Sequence, residues 1–292
     1  MTRSGFVALA GRPNVGKSTF VNAVVGEKVA IVSDRPQTTR RAIRGVLESG
    51  DAQIVLVDLP GVQRPRDALT ARMARRVEQE LEGADASLLI LNAQQGVGPG
   101  DRFIARRLAA AGRPTAIAVN KVDRLGRGPL LEVLSEAAAL DLDGEVFPIS
   151  ARTGEGVGEL IAHLGALLPE GPFMFDAGTS SDQSVEQLVA ELIREAAIRR
   201  TFQELPHAIE VIVEEIEQHG DVLRVRALIW VESESQKGIV IGARGAMIKA
   251  IGTAARKQLE SALDSRVHLD LSVRVRRDWR ADDGLLDRLG IE

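Results

Sequence analysis

An α/β domain with a mostly parallel sheet and helices on both faces, followed by a smaller α+β domain of order α-β-β-α-α-β, is the fold predicted for this 292-residue sequence. Three observations carry the expectation. Short apolar runs alternate with helix-like segments through the first part of the chain, and each run ends in polar, turn-forming residues. At Leu168-Pro169-Glu170-Gly171-Pro172 the last such helix is broken twice, because proline cannot continue it and glycine unwinds it. Beyond that break the alternation changes character. The expected boundaries are 1–170 for the first domain, 171–184 for a linker, whose Phe173-Met174-Phe175 cluster is expected to pack between the domains, and 185–292 for the second domain.

Composition narrows the classes. Hydrophobic residues make up 45% of the chain, enough for real cores. Cysteine is absent, which excludes disulfides and thiolate metal sites and fits a reducing compartment. The net charge of -4 argues against a generally basic surface. Phe6 to Ala10 is too short for a signal-peptide core. No apolar run approaches the ~18 residues of a spanning helix, so a cytoplasmic chain with at most peripheral membrane contact is expected. His163, His207, His219 and His268 are scattered without metal-ligand spacing.

In chain order, the apolar run Phe6 to Ala10 reads as a strand and Phe20 to Val25 as a helix. Between them Gly11-Arg12-Pro13-Asn14-Val15-Gly16-Lys17-Ser18-Thr19 matches G-x-x-x-x-G-K-[ST] at every fixed position. Backbone N–H groups of such a loop cradle phosphates and the following helix adds its positive end. Lys17 reaches the β- and γ-phosphates and Ser18 ligates Mg²⁺. In the polar stretch Glu27 to Arg41, Thr38 or Thr39 would fold over the nucleotide and add a hydroxyl to the metal, with Thr39 preferred. Gln53 to Val57 is a buried strand ending in Asp58-Leu59-Pro60-Gly61, which places Asp58 to hold the metal through water and the Gly61 N–H to sense the γ-phosphate.

Ala68 to Glu82 is helical, Ala86 to Leu91 a third strand, Asp101 to Ala111 a helix, and Pro114 to Val119 a strand ending in Asn120-Lys121-Val122-Asp123. The Asp123 carboxylate is suited to the N1 and N2 donors of guanine, which adenine lacks, and a buried acceptor left unpaired rejects the wrong base strongly. Asn120 braces this loop against the phosphate loop, and the Lys121 stem lies on the base. After a helix over Leu130 to Ala139, Val146 to Ile149 delivers Ser150-Ala151, whose Ala151 N–H is aimed at guanine O6. A helix from Gly156 to Leu168 closes the domain.

These ordered motifs resemble those of the translation-factor-related GTPases. Gly-Arg-Pro-Asn-Val-Gly-Lys-Ser with Pro36-Gln37-Thr38-Thr39-Arg40 is similar to the Era family in particular. The resemblance implies GTP and GDP as ligands, Mg²⁺ as cofactor, and Lys17, Thr39, Gly61 and Asn14 as the residues closest to hydrolysis. Where Ras-like enzymes carry a water-orienting Gln, Val62 stands here, so slow intrinsic turnover is expected. Asn14 matches a position that helps bind K⁺ in related GTPases; it either does so here or merely caps the loop. The family's D-T-P-G is spelled Asp58-Leu59-Pro60-Gly61, which leaves Asp58 and Gly61 in place.

In the second domain, Val185, Leu188, Val189, Leu192, Ile193 and Ala196 mark one face of a helix reaching about Phe202. Ala208 to Ile216 and Val222 to Val231 alternate as strands around a Gln218-His219-Gly220-Asp221 turn. Lys237 to Gly245 leads into a helix over Ala246 to Leu263, and a strand spans Val267 to Val275. Gly242-Ala243-Arg244-Gly245 is a G-x-x-G turn that lets a phosphodiester approach, with Ile239, Ile241 and Ile248 as an apolar floor for unstacked bases. Residues 186–236 carry five Lys and Arg against eleven Asp and Glu; residues 237–280 carry ten against four. Cations thus gather on the segment holding the turn.

The stretch Ile239 to Lys249 resembles a KH domain, again in the Era arrangement, and Asp278-Trp279-Arg280 with its short helix to Leu289 resembles that family's tail. The resemblance implies RNA contacts from Lys237, Ile239, Ile241, Gly242, Ala243, Arg244, Gly245 and Lys249. It also implies the end of small-subunit ribosomal RNA and the small ribosomal subunit as partners, a monomer, and some peripheral membrane association. The competing expectation is a signalling GTPase whose second domain docks a protein.

Overall fold

The computed structural model describes residues 1–291 except 34, 36, 62–64 and 204. Val62, on which the expectation of slow turnover rests, and Pro36 lie outside the described residues. The chain forms two compact units, Met1–Ala30 with Thr39–Pro65 and Thr70–Asp182, and Ile31–Thr38 with Arg66–Leu69 and Gln183–Glu292.

The first unit contains β1 (Arg3–Ala10), α1 (Lys17–Val25), β2 (Ile43–Ser49), β3 (Ala52–Asp58), all but the first two residues of α2 (Ala68–Gly83), β4 (Ala86–Asn92), α3 (Pro99–Ala111), β5 (Thr115–Asn120), α4 (Arg127–Ala138), β6 (Val146–Ile149) and α5 (Val157–Leu167). Its six strands are ordered β2-β3-β1-β4-β5-β6, all parallel except the β2–β3 pair. Alternate residues serve opposite faces: Val7 and Leu9 of β1 join Ile54, Leu88 and Leu160 in one core, while Ala8 and Ala10 join Val57, Leu89 and Ile104 in another. Burial on both faces explains the nearly unbroken apolar runs. Parallel register brings Leu9 opposite Asp58 and Asn120 opposite both Asn92 and Ile149, so the ends of β1, β3, β5 and β6 open on one edge.

Two features depart from expectation. The edge strand β2 escapes a pattern search because Gly45 interrupts it. That glycine is required by packing, since a Cβ there would lie 2.6 Å from Val21 Cγ1 and 2.9 Å from Val25 Cγ2 of α1. Residues 171–182 are also no free linker. The Gln53 side chain accepts from the N–H groups of Met174 and Phe175, Ser4 Oγ donates to the Pro172 carbonyl, and Ser181 Oγ donates to the Arg44 carbonyl. Those bonds tie the segment to the first unit, with Phe173 and Met174 exposed.

The second unit contains α6 (Val185–Ile198), α7 (Leu205–Ala208), β7 (Glu210–His219), β8 (Val222–Val231), α8 (Glu234–Ile241), α9 (Ala246–Leu263), β9 (Arg266–Val275) and α10 (Asp283–Arg288). Ser184 caps α6 by accepting from Gln187 N–H while the Gln187 side chain returns to the Ser184 N–H. Strands are ordered β7-β8-β9, with β8 antiparallel to β7 and parallel to β9. The core packs Val189, Leu192 and Ile193 of α6 and Ile251, Ala255 and Leu259 of α9 against Val225, Ala227 and Ile229.

Glu234–Leu263 spans 30 residues and contains an 18-residue window of mean hydropathy 1.2, so by length and composition it is long and apolar enough to cross a membrane, against the expectation that no stretch approaches that length. Positive φ at Gly242 (71°), Arg244 (50°) and Gly245 (78°) breaks it into α8 and α9. The buried stripe of α9 marks it as a core helix.

Candidate functional site

Where β1 passes into α1, the loop Gly11 to Gly16 wraps around the first turn of the helix. Lys17, nearly buried, donates its Nζ to the carbonyls of Gly11 at 3.2 Å and Arg12 at 3.4 Å, so the ammonium lies within the loop. Asn14 is exposed with φ 64°, Val15 is buried, and Thr19 is half-buried in the first helical turn. Gly16 has φ 107°, and a Cβ on it would sit 2.3 Å from Asn120 Nδ2, so only glycine fits there. Gly61 closes on the same loop, its missing Cβ 2.9 Å from Pro13 Cγ. Arg12 turns outward to a salt bridge with buried Asp101 at 2.8 Å, which ties the loop to α3.

Three oxygens converge beside Lys17. Ser18 Oγ donates to Asp58 Oδ2 at 2.6 Å, and Thr39 Oγ1 lies 3.3 Å from Ser18 Oγ and 3.5 Å from Asp58 Oδ2. Thr38, the alternative ligand, instead donates its hydroxyl to the Arg35 carbonyl at 2.6 Å. Asp58 is fully buried, and among the described residues its Oδ1 has no hydrogen-bond partner. An all-oxygen corner with an orphaned carboxylate oxygen fits a hard cation such as Mg²⁺, which Ser18, Thr39 and Asp58 are the residues placed to hold. No cluster of three His, Asp or Glu able to hold a metal occurs among the described residues. Burial lowers the Lys17 pKa against the opposing pull of Asp58, and burial raises that of Asp58 against Lys17, Ser18 and Thr39. Both charges are costly in this dry corner until polyphosphate and cation complement them.

At the ends of β5 and β6, Asn120 Nδ2 donates to the Val15 carbonyl at 2.9 Å, and Lys121 Nζ reaches the Asn14 carbonyl at 2.7 Å. These two bonds clamp the base loop to the phosphate loop. Asp123 accepts from Ser150 Oγ at 2.6 Å and from the Arg152 guanidinium, and these partners hold its pKa below the usual carboxylate value, Ser150 being the larger cause. One expected detail differs: the Ala151 N–H, assigned to guanine O6, donates here to Asn120 Oδ1 at 3.0 Å. Arg152 was not singled out from the sequence, because nothing in a Ser-Ala-Arg triplet announces where the arginine points.

In the second unit Ile241 closes α8 and Gly242 to Gly245 turn into α9. A Cβ on Gly242 would lie 2.7 and 2.8 Å from Met247 Cβ and N, whereas Gly245 has open space around it. Ala243, Arg244 and Lys249 are exposed, Lys237 is half-buried, and Ile239 presents 55% of its surface beside half-buried Ile241 and Ile248. A groove of about 410 Å³ continues from there between α9 and β9, where Thr253, Arg256 and His268 join Lys249. Thr253, Arg256 and His268 were not singled out as site residues from the sequence. Arg256 and His268 come together only because β9 runs alongside α9.

Comparison with known proteins fits this architecture. Residues 6–121 match the family model described as "50S ribosome-binding GTPase", and residues 204–280 match that of the KH domain. The class is therefore a P-loop GTPase carrying a C-terminal KH domain. GTPase Era of Mycobacterium tuberculosis (strain ATCC 25618 / H37Rv) is 45% identical, covering 98% of each chain, and GTPase Era of Mycolicibacterium smegmatis is 44% identical over 99% of this chain and 98% of its own. A variant of Aquifex aeolicus Era bound to GDP·AlF4⁻ superposes with TM-score 0.94 at 35% identity, covering 99% of each chain. Era in complex with MgGDPNP and nucleotides 1506–1542 of 16S ribosomal RNA superposes with TM-score 0.95 at 34% identity, covering 100% of this chain and 99% of its own. The chain belongs to the Era family of GTPases, which hydrolyse GTP to GDP and phosphate.

Proposed function

We propose that this protein is a GTP-driven switch that binds the end of small-subunit ribosomal RNA through Gly242 to Gly245 and acts in maturation of the small ribosomal subunit in the cytoplasm. The observation that carries the reading is the exposed G-x-x-G turn, open at Gly245 and flanked by Arg244, Lys249 and Ile239, in a chain similar over its whole length to the Era of the 16S RNA complex. A face of cations around an apolar strip suits single-stranded RNA: phosphates meet the glycines while unstacked bases lie on the isoleucines. A protein-docking signalling role finds less support there.

On the nucleotide side, Lys17 and the loop amides hold the β- and γ-phosphates, Gly61 reports the γ-phosphate, Ser18 and Thr39 orient their hydroxyls toward the cation, and Asp123 reads guanine. Mg²⁺, when bound, neutralises charge on the phosphate oxygens. Coupling between the two functions has a covalent path. Thr39 clusters with the nucleotide residues, while the preceding segment, residues 31–38, belongs to the second unit. There Glu195 Oε1 accepts from Val32 N–H at 3.1 Å, and the Arg194 guanidinium donates to the Thr38 carbonyl. Ordering of Thr39 by GTP is thereby transmitted through one peptide bond to a segment seated on α6.

The test is fluorescence anisotropy with a single-stranded RNA matching the end of small-subunit RNA, with GDP and with a non-hydrolysable GTP analogue. Tighter, salt-sensitive binding with the analogue is expected; equal affinity in both states ends the coupling, and absence of binding in both ends the RNA assignment. Asn14 stands at the mouth of the phosphate loop as the candidate for K⁺ stimulation, which predicts faster turnover in K⁺ than in Na⁺ buffer. A monomer with peripheral membrane contact completes the proposal.

A further inference from the structure

Each carboxylate oxygen offers two lone-pair positions. On Asp123, Oδ1 accepts one hydrogen bond, from Ser150 Oγ at 2.6 Å, and Oδ2 accepts two, from Arg152 Nη2 at 2.6 Å and Nε at 3.2 Å. Guanine arrives with two donors side by side, N1–H and N2–H, one for each oxygen. Oδ1 has room for its share. Oδ2 has none while the guanidinium keeps both bonds. The two side chains are unequal in mobility, since Arg152 is 64% exposed and Asp123 only 9%. The arginine is the partner free to leave, and water receives it.

We propose that Arg152 is a specificity-determining residue: a displaceable cap on the guanine-reading carboxylate, which surrenders at least one hydrogen bond whenever guanine enters. The proposal rests on the reading of Asp123 as the base acceptor and deepens it. The cap acts against guanine specifically. Hypoxanthine, which lacks the 2-amino group, brings only N1–H, and the remaining position on Oδ1 takes it without moving Arg152. The arginine therefore narrows the preference for guanine over hypoxanthine. As an internal competitor it also hastens release of bound GDP, because the guanidinium recaptures Oδ2 each time the N2–H bond opens.

The experiment uses the full chain with Arg152→Ala, and with Arg152→Gln to retain a polar stem without the charge. GDP and IDP affinities and GDP dissociation rates are measured at low and high salt, after thermal melting shows that the variants fold. Both variants are expected to bind GDP about two- to fivefold more tightly, the range an exposed ion pair spans, with slower release and unchanged IDP affinity. The gap from wild type should shrink as salt screens the pair. Unchanged or weaker GDP binding, or equal tightening for GDP and IDP, overturns the cap. Asp123→Ala separates the two readings: if that variant still prefers GDP over ADP as wild type does, the assignment of Asp123 as base acceptor fails with it, whereas loss of the preference leaves the Arg152 result to decide the cap alone.

Discussion

Replacing Gly245 by aspartate tests the RNA face more cleanly than any change at Gly242. Both glycines have positive φ: Gly245 (φ 78°, ψ 12°) is left-handed, where a side chain costs roughly 1–2 kcal/mol, while Gly242 (φ 71°, ψ 173°) lies where essentially only glycine goes. At Gly242 the new Cβ also strikes the backbone of Met247 at 2.8 Å, so α9 must shift, whereas at Gly245 it meets nothing within 4 Å. Gly245→Ala therefore measures backbone strain alone, and Gly245→Asp adds a carboxylate where a phosphate is to lie. Two unit charges about 4 Å apart repel by ~4 kcal/mol at an effective dielectric near 20, and salt removes part of that. Even a third of it, ~1.4 kcal/mol, is tenfold in affinity. The expected result is at least a tenfold loss of RNA binding for Gly245→Asp beyond Gly245→Ala by anisotropy at fixed salt, with fluorescent GTP analogue binding unchanged. Wild-type RNA affinity in Gly245→Asp, or equal losses in both variants, refutes the reasoning.

Gly16→Ala places a methyl 2.3 Å from Asn120 Nδ2. It should break the bond from Asn120 to the Val15 carbonyl and abolish GDP binding by calorimetry; retained binding would show that the clamp is dispensable. Arg194 is fully buried and donates to Glu191 and to the Thr38 carbonyl. Arg194→Met should destabilise the second unit by ~3–5 kcal/mol in urea unfolding, since it removes the cation from beside the buried carboxylates of Glu191, Glu195 and Glu210, and a loss under 1 kcal/mol would contradict that. The Asp123 pKa is depressed, so its contribution is present above the ordinary carboxylate range and lost only as pH falls through the lowered folded value. Ser150→Ala removes the larger cause and should move the acid limb of GDP binding to higher pH; an unmoved limb would assign the shift elsewhere.

The motifs were legible because each is a short run of chain whose spelling contains its own geometry. Gly16-Lys17-Ser18 and Asn120-Lys121-Val122-Asp123 need only a strand before them to become sites, and the apolar runs supplied those strands. The G-x-x-G turn was readable for the same reason, once the charge reversal along the second domain was counted. Contacts made by residues far apart in sequence were not legible. Nothing in Ile43 to Ser49 distinguishes an edge strand from a loop until α1 packs on Gly45. The stretch 171–182 reads as a linker because its binding partners, Ser4, Arg44 and Gln53, lie more than a hundred residues away.

The sequence by itself determined which chemical groups this protein has to work with: a glycine-rich loop suited to phosphates, a carboxylate suited to guanine, hydroxyls and a carboxylate suited to a hard cation, and a glycine turn suited to a phosphodiester. Local spelling suffices there because backbone conformation and side-chain type are local properties. Tertiary structure alone decided which of two adjacent threonines faces Asp58, that the segment before it belongs to the second unit, and that Arg152 rests on the oxygen guanine would use. Those are questions of which atoms meet across the fold, and the parallel register of β3, β5 and β6 with the packing around α6 answers them.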